Sequence, residues 1–126
     1  MIIAMKVVVR RRLSLVELLG EEGGGVPYIR QAYEEYEEDG ESYFLVEEEL
    51  DPQVLRRLLA PHLVRLLEEI SRGVKSITEL ANRVNRSVPN VYKNLVVLEK
   101  YKLISLRREG RYVKPIKLVE EILILP

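Results

Sequence analysis

The chain has 126 residues, of which 47% are hydrophobic and 32% are charged, with 20 Lys and Arg against 20 Asp and Glu. This composition is typical of a globular protein that is long enough to bury its own core. Because there is no cysteine and only one histidine, His62, a disulfide scaffold, a thiolate zinc site and a cysteine nucleophile are excluded. We therefore expect no metal and no other cofactor. The abundance of Glu, Lys and Arg also fits a thermophilic protein.

The balanced net charge hides an asymmetry between the two halves of the chain. Residues 1–60 contain 7 basic and 13 acidic residues, whereas residues 61–126 contain 13 basic and 7 acidic residues. Such a distribution indicates that the second half faces a polyanion and that the first half does not. No apolar stretch approaches the roughly 20 residues that a membrane-spanning helix needs. We expect a cytoplasmic protein that does not interact with membranes.

Residues 1–50 are predicted to form an N-terminal arm that contains both strand and helix. The β-branched residues at 2–10 predict a first strand, which we expect the run Arg10–Arg12 to end. No Lys or Arg occurs between Arg30 and Arg56, and the ten carboxylates in that interval predict a solvated acidic surface. The other elements are predicted, in chain order, as a short helix at 13–19, a glycine-containing loop at 20–25, a helix from Pro27 to about Asp39 and a short strand at 43–46.

Four helices are predicted between residues 51 and 100. The first ends near Leu59, the third spans 77–84 and the fourth runs to about Lys100. Their start signals are Asp51-Pro52, Pro61, the capping box Ser76-Ile77-Thr78-Glu79, and Ser87 followed by Pro89. The apolar spacing predicts a buried stripe of Leu63, Leu66, Leu67 and Ile70 in the second helix and of Val88, Val91, Leu95 and Leu98 in the fourth.

The third and fourth helices form a pattern typical of a helix-turn-helix, in which a short helix, a tight turn at Asn85–Arg86 and a longer helix follow one another. All four asparagines of the chain lie in this region. Asparagine can pair with adenine, and lysine can reach guanine or a phosphate. For Asn82 and Asn85, a turn or capping role is an equal alternative. The outer side of the fourth helix carries Pro89, Asn90, Lys93 and Val97, flanked by Arg86, Tyr92 and Asn94.

A β-hairpin is predicted after the fourth helix, with strands at 103–108 and 111–117 around the turn Glu109-Gly110. Between Arg83 and Lys114, nine Lys and Arg stand against two Glu. This excess favours a wing, whose arginines contact phosphates or the minor groove, over an ordinary charged hairpin. The basic residues of this hairpin are Arg107, Arg108, Arg111 and Lys114.

The stretch ITELANRVNRSVPNVYKNLVVLEKYKLI, at 77–104, resembles the winged-helix DNA-binding domain of the MarR and ArsR kind. The whole chain is similar to the small MarR-like regulators of archaea and bacteria, in which a first strand (here MKVVVR) and an acidic helical arm precede the winged helix. A Leu-Leu-x-Pro step, here at 58–61, and an apolar final strand, here at 121–125, belong to the same resemblance. The sequence departs from it in three places: Ala60 lacks a capping side chain, Tyr92 replaces a serine, and Tyr101-Lys102 replaces a turn that contains glycine.

The resemblance implies an α+β fold, with a winged helix-turn-helix domain at 51–126 and a strand and helix arm at 1–50 for dimerisation or partner contact. It implies that Ser87 and its neighbours on the fourth helix meet DNA, that 107–111 form the wing, and that the protein regulates transcription as a repressor, autoregulator or antitoxin-like factor. The candidate DNA-contacting residues are Arg86, Ser87, Pro89, Asn90, Tyr92, Lys93 and Asn94 in the recognition helix, and Arg107, Arg108, Arg111 and Lys114 in the wing.

Two functional classes are weighed. The first is a sequence-specific regulator that binds double-stranded DNA as a homodimer, so that two recognition helices meet adjacent half-sites. The end strands, at 2–9 and 121–125, either join two chains or pair with each other within one chain. The second class is a winged helix that binds a protein partner through the acidic arm. We do not expect an enzyme, because no nucleophile with a base, metal set or phosphate loop is recognisable.

Overall fold

A computed structural model of the protein describes residues 5–14 and 43–126. In these residues the fold is mixed α+β, with four helices and two antiparallel sheets. The helix and loop predictions for 15–42, and the strand prediction for 2–4, lie outside the described residues. The elements are β1 (Lys6–Ser14), β2 (Tyr43–Leu50), α1 (Pro52–Leu58), α2 (Pro61–Arg72), α3 (Ile77–Arg83), α4 (Val88–Lys100), β3 (Ile104–Glu109), β4 (Tyr112–Lys117) and β5 (Val119–Leu125).

The chain divides into two compact units. The first unit is built from both ends of the chain, because its sheet has the strand order β2-β1-β5. β1 is antiparallel to both neighbours, and Val7, for example, lies opposite Leu50 and Ile124. The two end strands therefore pair with each other within one chain, which was one of the two alternatives for them.

Side chains alternate between the two faces of this sheet, as the pleat of a strand requires. Val7, Val9 and Leu13 of β1 are buried, together with Phe44 and Val46 of β2. Arg11 belongs to the same alternating series and is also buried, with its Nη2 atom 3.3 Å from Oε2 of the exposed Glu48. The first unit thus places one arginine among the residues of its apolar face.

The opposite face of the sheet carries ion pairs between neighbouring strands. Arg10 in the central strand lies 2.7 Å from Glu47 of β2 and 3.4 Å from Glu121 of β5. Arg12 lies 2.8 Å from Glu120, next to a bulge between Arg10 and Arg11. Exposed pairs of this kind each contribute only about 0–1 kcal/mol. The burial of the apolar face determines the register of the strands. The main effect of the ion pairs is to give charged side chains an opposite charge nearby in that register.

Two sequence expectations for this unit are wrong. The arginines at 10–12 do not end the first strand, since β1 continues to Ser14, and Leu13 and Ser14 are strand residues instead of the start of a helix. β2 likewise continues through Glu47–Glu49 to Leu50 instead of ending at Val46. In both extensions the charged residues stay in register with the neighbouring strand, where Arg10 faces Glu47 but Arg11 faces Val46 and Glu48 faces Val9.

The second unit, Asp51–Leu118, contains the four helices and the β3–β4 hairpin. The predicted start signals are confirmed, since Asp51, Ser76 and Ser87 are N-caps whose side chains accept backbone N–H bonds. α2 begins at Pro61 without a side-chain cap at Ala60. The core contains Leu66, Leu80, Val91, Leu95, Leu98, Leu103 and Ile104, all of them almost inaccessible.

The predicted buried stripes are confirmed with two differences. Leu67 of α2 is only half-buried, and Val88 of α4 is exposed. Val88 is the first residue of α4 and shares a side with Tyr92 and Val96, four and eight residues later. This side is adjacent to the stripe of Val91, Leu95 and Leu98 but does not belong to it. In the part of the chain that the structure describes, no helix is long and apolar enough to cross a membrane.

Candidate nucleic-acid interface

The turn between α3 and α4 is fixed by backbone hydrogen bonds. Asn85 has a φ of 54°, and its N–H donates to the carbonyl of Asn82 at 3.2 Å. The next N–H, that of Arg86, donates to the carbonyl of Ala81 at 3.0 Å. These two bonds and the left-handed residue between them define a Schellman motif. Asn85 therefore has the turn and capping role that was an equal alternative to DNA contact.

Ser87 begins α4 immediately after this turn. Its side-chain oxygen accepts the backbone N–H of Asn90 at 3.4 Å, and Pro89 occupies the first turn, where no N–H is needed. Because Val91, Leu95 and Leu98 are buried, the opposite side of α4 faces outward. The structure places Pro89, Asn90, Tyr92 and Lys93 on the exposed part of this helix.

Two of the candidate residues contact each other. The guanidinium of Arg86 donates from Nη2 to the side-chain oxygen of Asn94 at 2.8 Å, and both residues are half-buried. This bond fixes the turn against the second turn of α4. The exposed polar groups of the recognition segment are consequently Ser87, Asn90 and Lys93, with Tyr92 beside them.

The β3–β4 hairpin closes with the two-residue loop Gly110–Arg111, one residue later than the predicted turn. Gly110 has a φ of 60°, and a positive φ at the first loop position is the pattern of a type II′ turn, which matches the twist of the strands. Pairing places Arg107 directly opposite Lys114. Like charges in such a pair repel each other.

A hydrogen bond to Glu99 connects the hairpin to α4. Oε2 of Glu99 accepts the backbone N–H of Leu106 at 2.9 Å. In a two-residue hairpin the pairs alternate between hydrogen-bonded and non-hydrogen-bonded, so Leu106 and its partner Pro115 form a non-hydrogen-bonded pair. The N–H of Leu106 is thus directed away from β4. Proline has no backbone N–H, but the hydrogen bonds between β3 and β4 do not need one at position 115, so Pro115 breaks none of them.

A pocket of about 430 Å³ lies between the start of α3 and the hairpin. Sequence reasoning selected Lys114 from its lining but missed Lys75 and the strongly exposed Tyr112. Tyr112 follows the hairpin loop directly, and an exposed aromatic beside Arg111 was the signal that could have identified it. The lining consists of Lys75, Ser76, Glu79, Glu109, Tyr112 and Lys114.

Glu79 in this pocket is held by neighbouring donors. Its Oε2 atom accepts the backbone N–H of Lys75 at 3.0 Å, and its Oε1 atom lies 2.5 Å from Nη2 of Arg83. The Lys75 N–H and then the charge of Arg83 lower the pKa of Glu79 below its ordinary value of 4.5. Glu79 therefore remains an anion at neutral pH and belongs to the capping structure of α3.

Neither residues 5–14 nor residues 43–126 contain a group of three or more His, Asp or Glu side chains that could hold a metal ion. The described candidates are instead hydrogen-bonding tips and cations on α4 and the hairpin. Their arrangement can contact an extended anion but offers no assembled set of acid, base and nucleophile.

No curated protein matches the chain. One family model, HVO_A0114, matches residues 58–124, which is slightly more than half of the chain. The matched segment begins at the last residue of α1 and ends within β5, so it contains all the candidate residues of α4 and the hairpin. The chain therefore belongs to the HVO_A0114 family.

Proposed function

We propose that the protein binds double-stranded DNA sequence-specifically through a winged helix and regulates transcription. In this proposal α4 is the recognition helix and the β3–β4 hairpin is the wing. The observation that carries it is the exposed side of α4, where Asn90 and Lys93 follow a tightly hydrogen-bonded turn, within the same compact unit as a basic hairpin. A helix in this position can enter the major groove, where the ends of Asn and Lys side chains distinguish base pairs.

The charge of the hairpin supports the same function. Arg107 and Lys114 face each other across the strands, and Arg108 and Arg111 are exposed near the loop. A polyanion is the partner that makes this concentration of positive charge favourable, because each neutralised phosphate releases a condensed counterion. We expect the bound form to be a homodimer, since two recognition helices then meet half-sites one helical turn apart.

The alternative, in which the acidic arm binds a protein partner, is less well supported by the described residues. Glu47 and Glu48 belong to the acidic segment, and they pair with Arg10 and Arg11 of the same chain. This part of the acidic surface is therefore neutralised internally.

The first test is a fluorescence anisotropy titration of the full chain into its own upstream DNA and into a scrambled duplex, at several salt concentrations. We expect tighter binding to the upstream DNA, with an affinity that falls steeply with salt. Equal and weak binding to both duplexes would contradict sequence-specific recognition. Footprinting of the bound fragment would then give the spacing of the half-sites.

The second test separates phosphate contacts from general charge effects. Lys93→Ala and Arg111→Ala should each weaken binding, and each lost phosphate contact should reduce the salt slope by about one. Lys6→Ala is the matched control, because it removes one positive charge from β1 in the other unit. An unchanged affinity in the Lys93 and Arg111 double variant would refute the assignment of α4 and the hairpin.

A further inference from the structure

The exposed side of α4 is unusually apolar for a helix in contact with water. Val96 and Val97 are 43% and 39% exposed, and Val88 and Tyr92 are 41% and 49% exposed. The helix already buries the stripe of Val91, Leu95 and Leu98, and at 100° per residue Val96 and Val97 lie away from that stripe, whereas Val88 and Tyr92 lie closer to it. Single exposed apolar residues are ordinary, but Val96 and Val97 are adjacent and lie beside the polar candidates of α4, so a partner that contacts those candidates also meets the two valines.

These apolar residues are interspersed with the polar candidates. Val97 lies seven residues after Asn90 and four after Lys93, so the three side chains form one ridge on the helix surface. Val96 lies three residues after Lys93 on the adjacent ridge. A partner that fits this surface must therefore offer an apolar group next to hydrogen-bonding groups, and it must carry negative charges around them. The major groove of an A·T pair does so, because thymine carries a C5-methyl group there.

The exposed amide of this side favours the same base pairs, whereas Lys93 on the same ridge can reach guanine or a phosphate. Arginine is the residue that most often reads guanine, and α4 contains none. Arg86, just before the helix, is engaged with the side chain of Asn94. Asn90 remains as the exposed amide, and asparagine forms its bidentate pair with adenine.

We infer that α4 recognises A·T base pairs, with Asn90 on an adenine and Val96 and Val97 against thymine methyl groups. This inference rests on the proposed function and adds the class of sequence that the helix selects. At 1.5 Å per residue, Val97 lies about 10 Å along the helix from Asn90, which corresponds to about three base pairs. The two kinds of contact therefore fall on different base pairs of one half-site.

The experiment begins with duplexes selected from a random pool by the full chain. The selected sites should be rich in A·T pairs at the helix contact. Thymines in the best duplex are then replaced one at a time by deoxyuridine, which removes only the methyl group. At the contacted positions binding should weaken about threefold to fivefold, the effect expected for one methyl group removed from water.

Three variants assign the effect to the valines. The double variant Val96→Ser, Val97→Ser should bind the thymine and deoxyuridine duplexes equally, because it has lost the apolar contact. Asn90→Ala should bind both more weakly but keep their ratio. Ile124→Ser removes an equally exposed apolar residue from β5 and should change nothing. Serine and valine have similar helix propensities, so α4 should persist, and circular dichroism checks this.

The failures can be distinguished. If no duplex is enriched and binding is independent of sequence, the proposed function itself is wrong. If duplexes are enriched but contain no A·T pairs at the contact, or if the double variant retains the deoxyuridine effect, only the present inference is overturned. Light scattering can also show that the double variant differs in molar mass from the parent chain. If the ratio of its affinities for the thymine and deoxyuridine duplexes is unchanged at the same time, the apolar side binds a protein, and the present inference is overturned.

Discussion

Among residues 5–14 and 43–126, two residues other than glycine, Asn85 and Lys102, adopt left-handed backbone conformations, with φ values of 54° and 60°. Each follows the end of a helix and occupies the same place in a Schellman motif. For Lys102, the N–H donates to Glu99 at 2.9 Å, and the N–H of Leu103 donates to Leu98 at 3.0 Å. The sequence predicted that the turn at 101–102 is formed without glycine. In the structure, Lys102 takes the left-handed position of the Schellman motif that glycine usually occupies.

Replacement of Lys102 by glycine should stabilise the protein. The left-handed conformation is costly for a residue with a Cβ atom and costs glycine little, so Lys102→Gly should raise the free energy of unfolding by about 0.5–1 kcal/mol. Urea unfolding measures the change. Lys100→Gly is the matched control in the last turn of α4, where glycine should lower the stability by about 1 kcal/mol. Destabilisation by both variants would contradict the backbone argument.

Glu79 predicts a dependence of stability on pH. Its pKa is lowered in the folded protein, by the Lys75 N–H and then by Arg83, so the unfolded chain takes up a proton at higher pH than the folded chain. The contribution of this carboxylate is complete above about 4.5 and is lost as the pH falls through the lowered pKa. Unfolding in urea at a series of pH values should show a smaller loss in Glu79→Gln than in the parent chain.

The control for this pH series is Glu68→Gln, which removes an exposed carboxylate from α2. This variant should follow the parent curve. If Glu79→Gln instead lost stability in parallel with the parent chain at every pH, the hydrogen bonds of Glu79 would not be the source of the dependence.

At the scale of elements, the helices could be predicted from the sequence and the strands only in part. Each described helix start depends on local signals, as at Ser76 and Ser87, where a side chain caps the backbone a few residues later. The ends of β1 and β2 depend on partners far away in the sequence, such as Glu47 for Arg10. A single sequence does not reveal which residues face each other in neighbouring strands. The charged residues at 11–12 and 47–49 were therefore predicted to lie outside the strands, whereas they lie within them.

The features of the candidate site also divide into those that local sequence patterns predict and those that depend on how distant segments fold together. The outward positions of Asn90 and Lys93 follow from helical periodicity and were predictable. The pairing of Arg86 with Asn94 and the position of Tyr112 beside Lys75 depend on how α3, α4 and the hairpin fold together. Arg86 and Asn94 were named from the sequence, but their contact with each other, and the place of Tyr112 in the same pocket lining as Lys75, are visible only in the structure.

The bond between Glu99 and Leu106 makes α4 and the hairpin mechanically dependent on each other. Glu99→Ala should leave the Leu106 N–H without its acceptor and reduce stability by about 0.5–1.5 kcal/mol. Amide hydrogen exchange should show faster exchange at Leu106. Glu99→Gln keeps an acceptor and should retain most of the protection. Equal exchange in all three proteins would show that this bond does not hold the hairpin.

At the scale of the whole molecule, the first unit is discontinuous in sequence, whereas the second is one continuous segment. Removal of residues 119–126 takes away β5 and leaves β1 with β2 as its remaining neighbour among the described strands. We expect hydrogen exchange in β1 to become fast in this variant, while the amides of α4 remain protected by their own core. Loss of protection in both would show that the two units unfold together.

The pairing of β1 with β5 has a consequence for the order in which the protein forms. Lys6 and Leu125 face each other, although almost the whole chain separates them. Asp51–Leu118 is one continuous segment, so its contacts join residues that are closer in sequence, and such contacts form fastest. The continuous unit can therefore form first, and the three-stranded sheet is completed only when β5 pairs with β1.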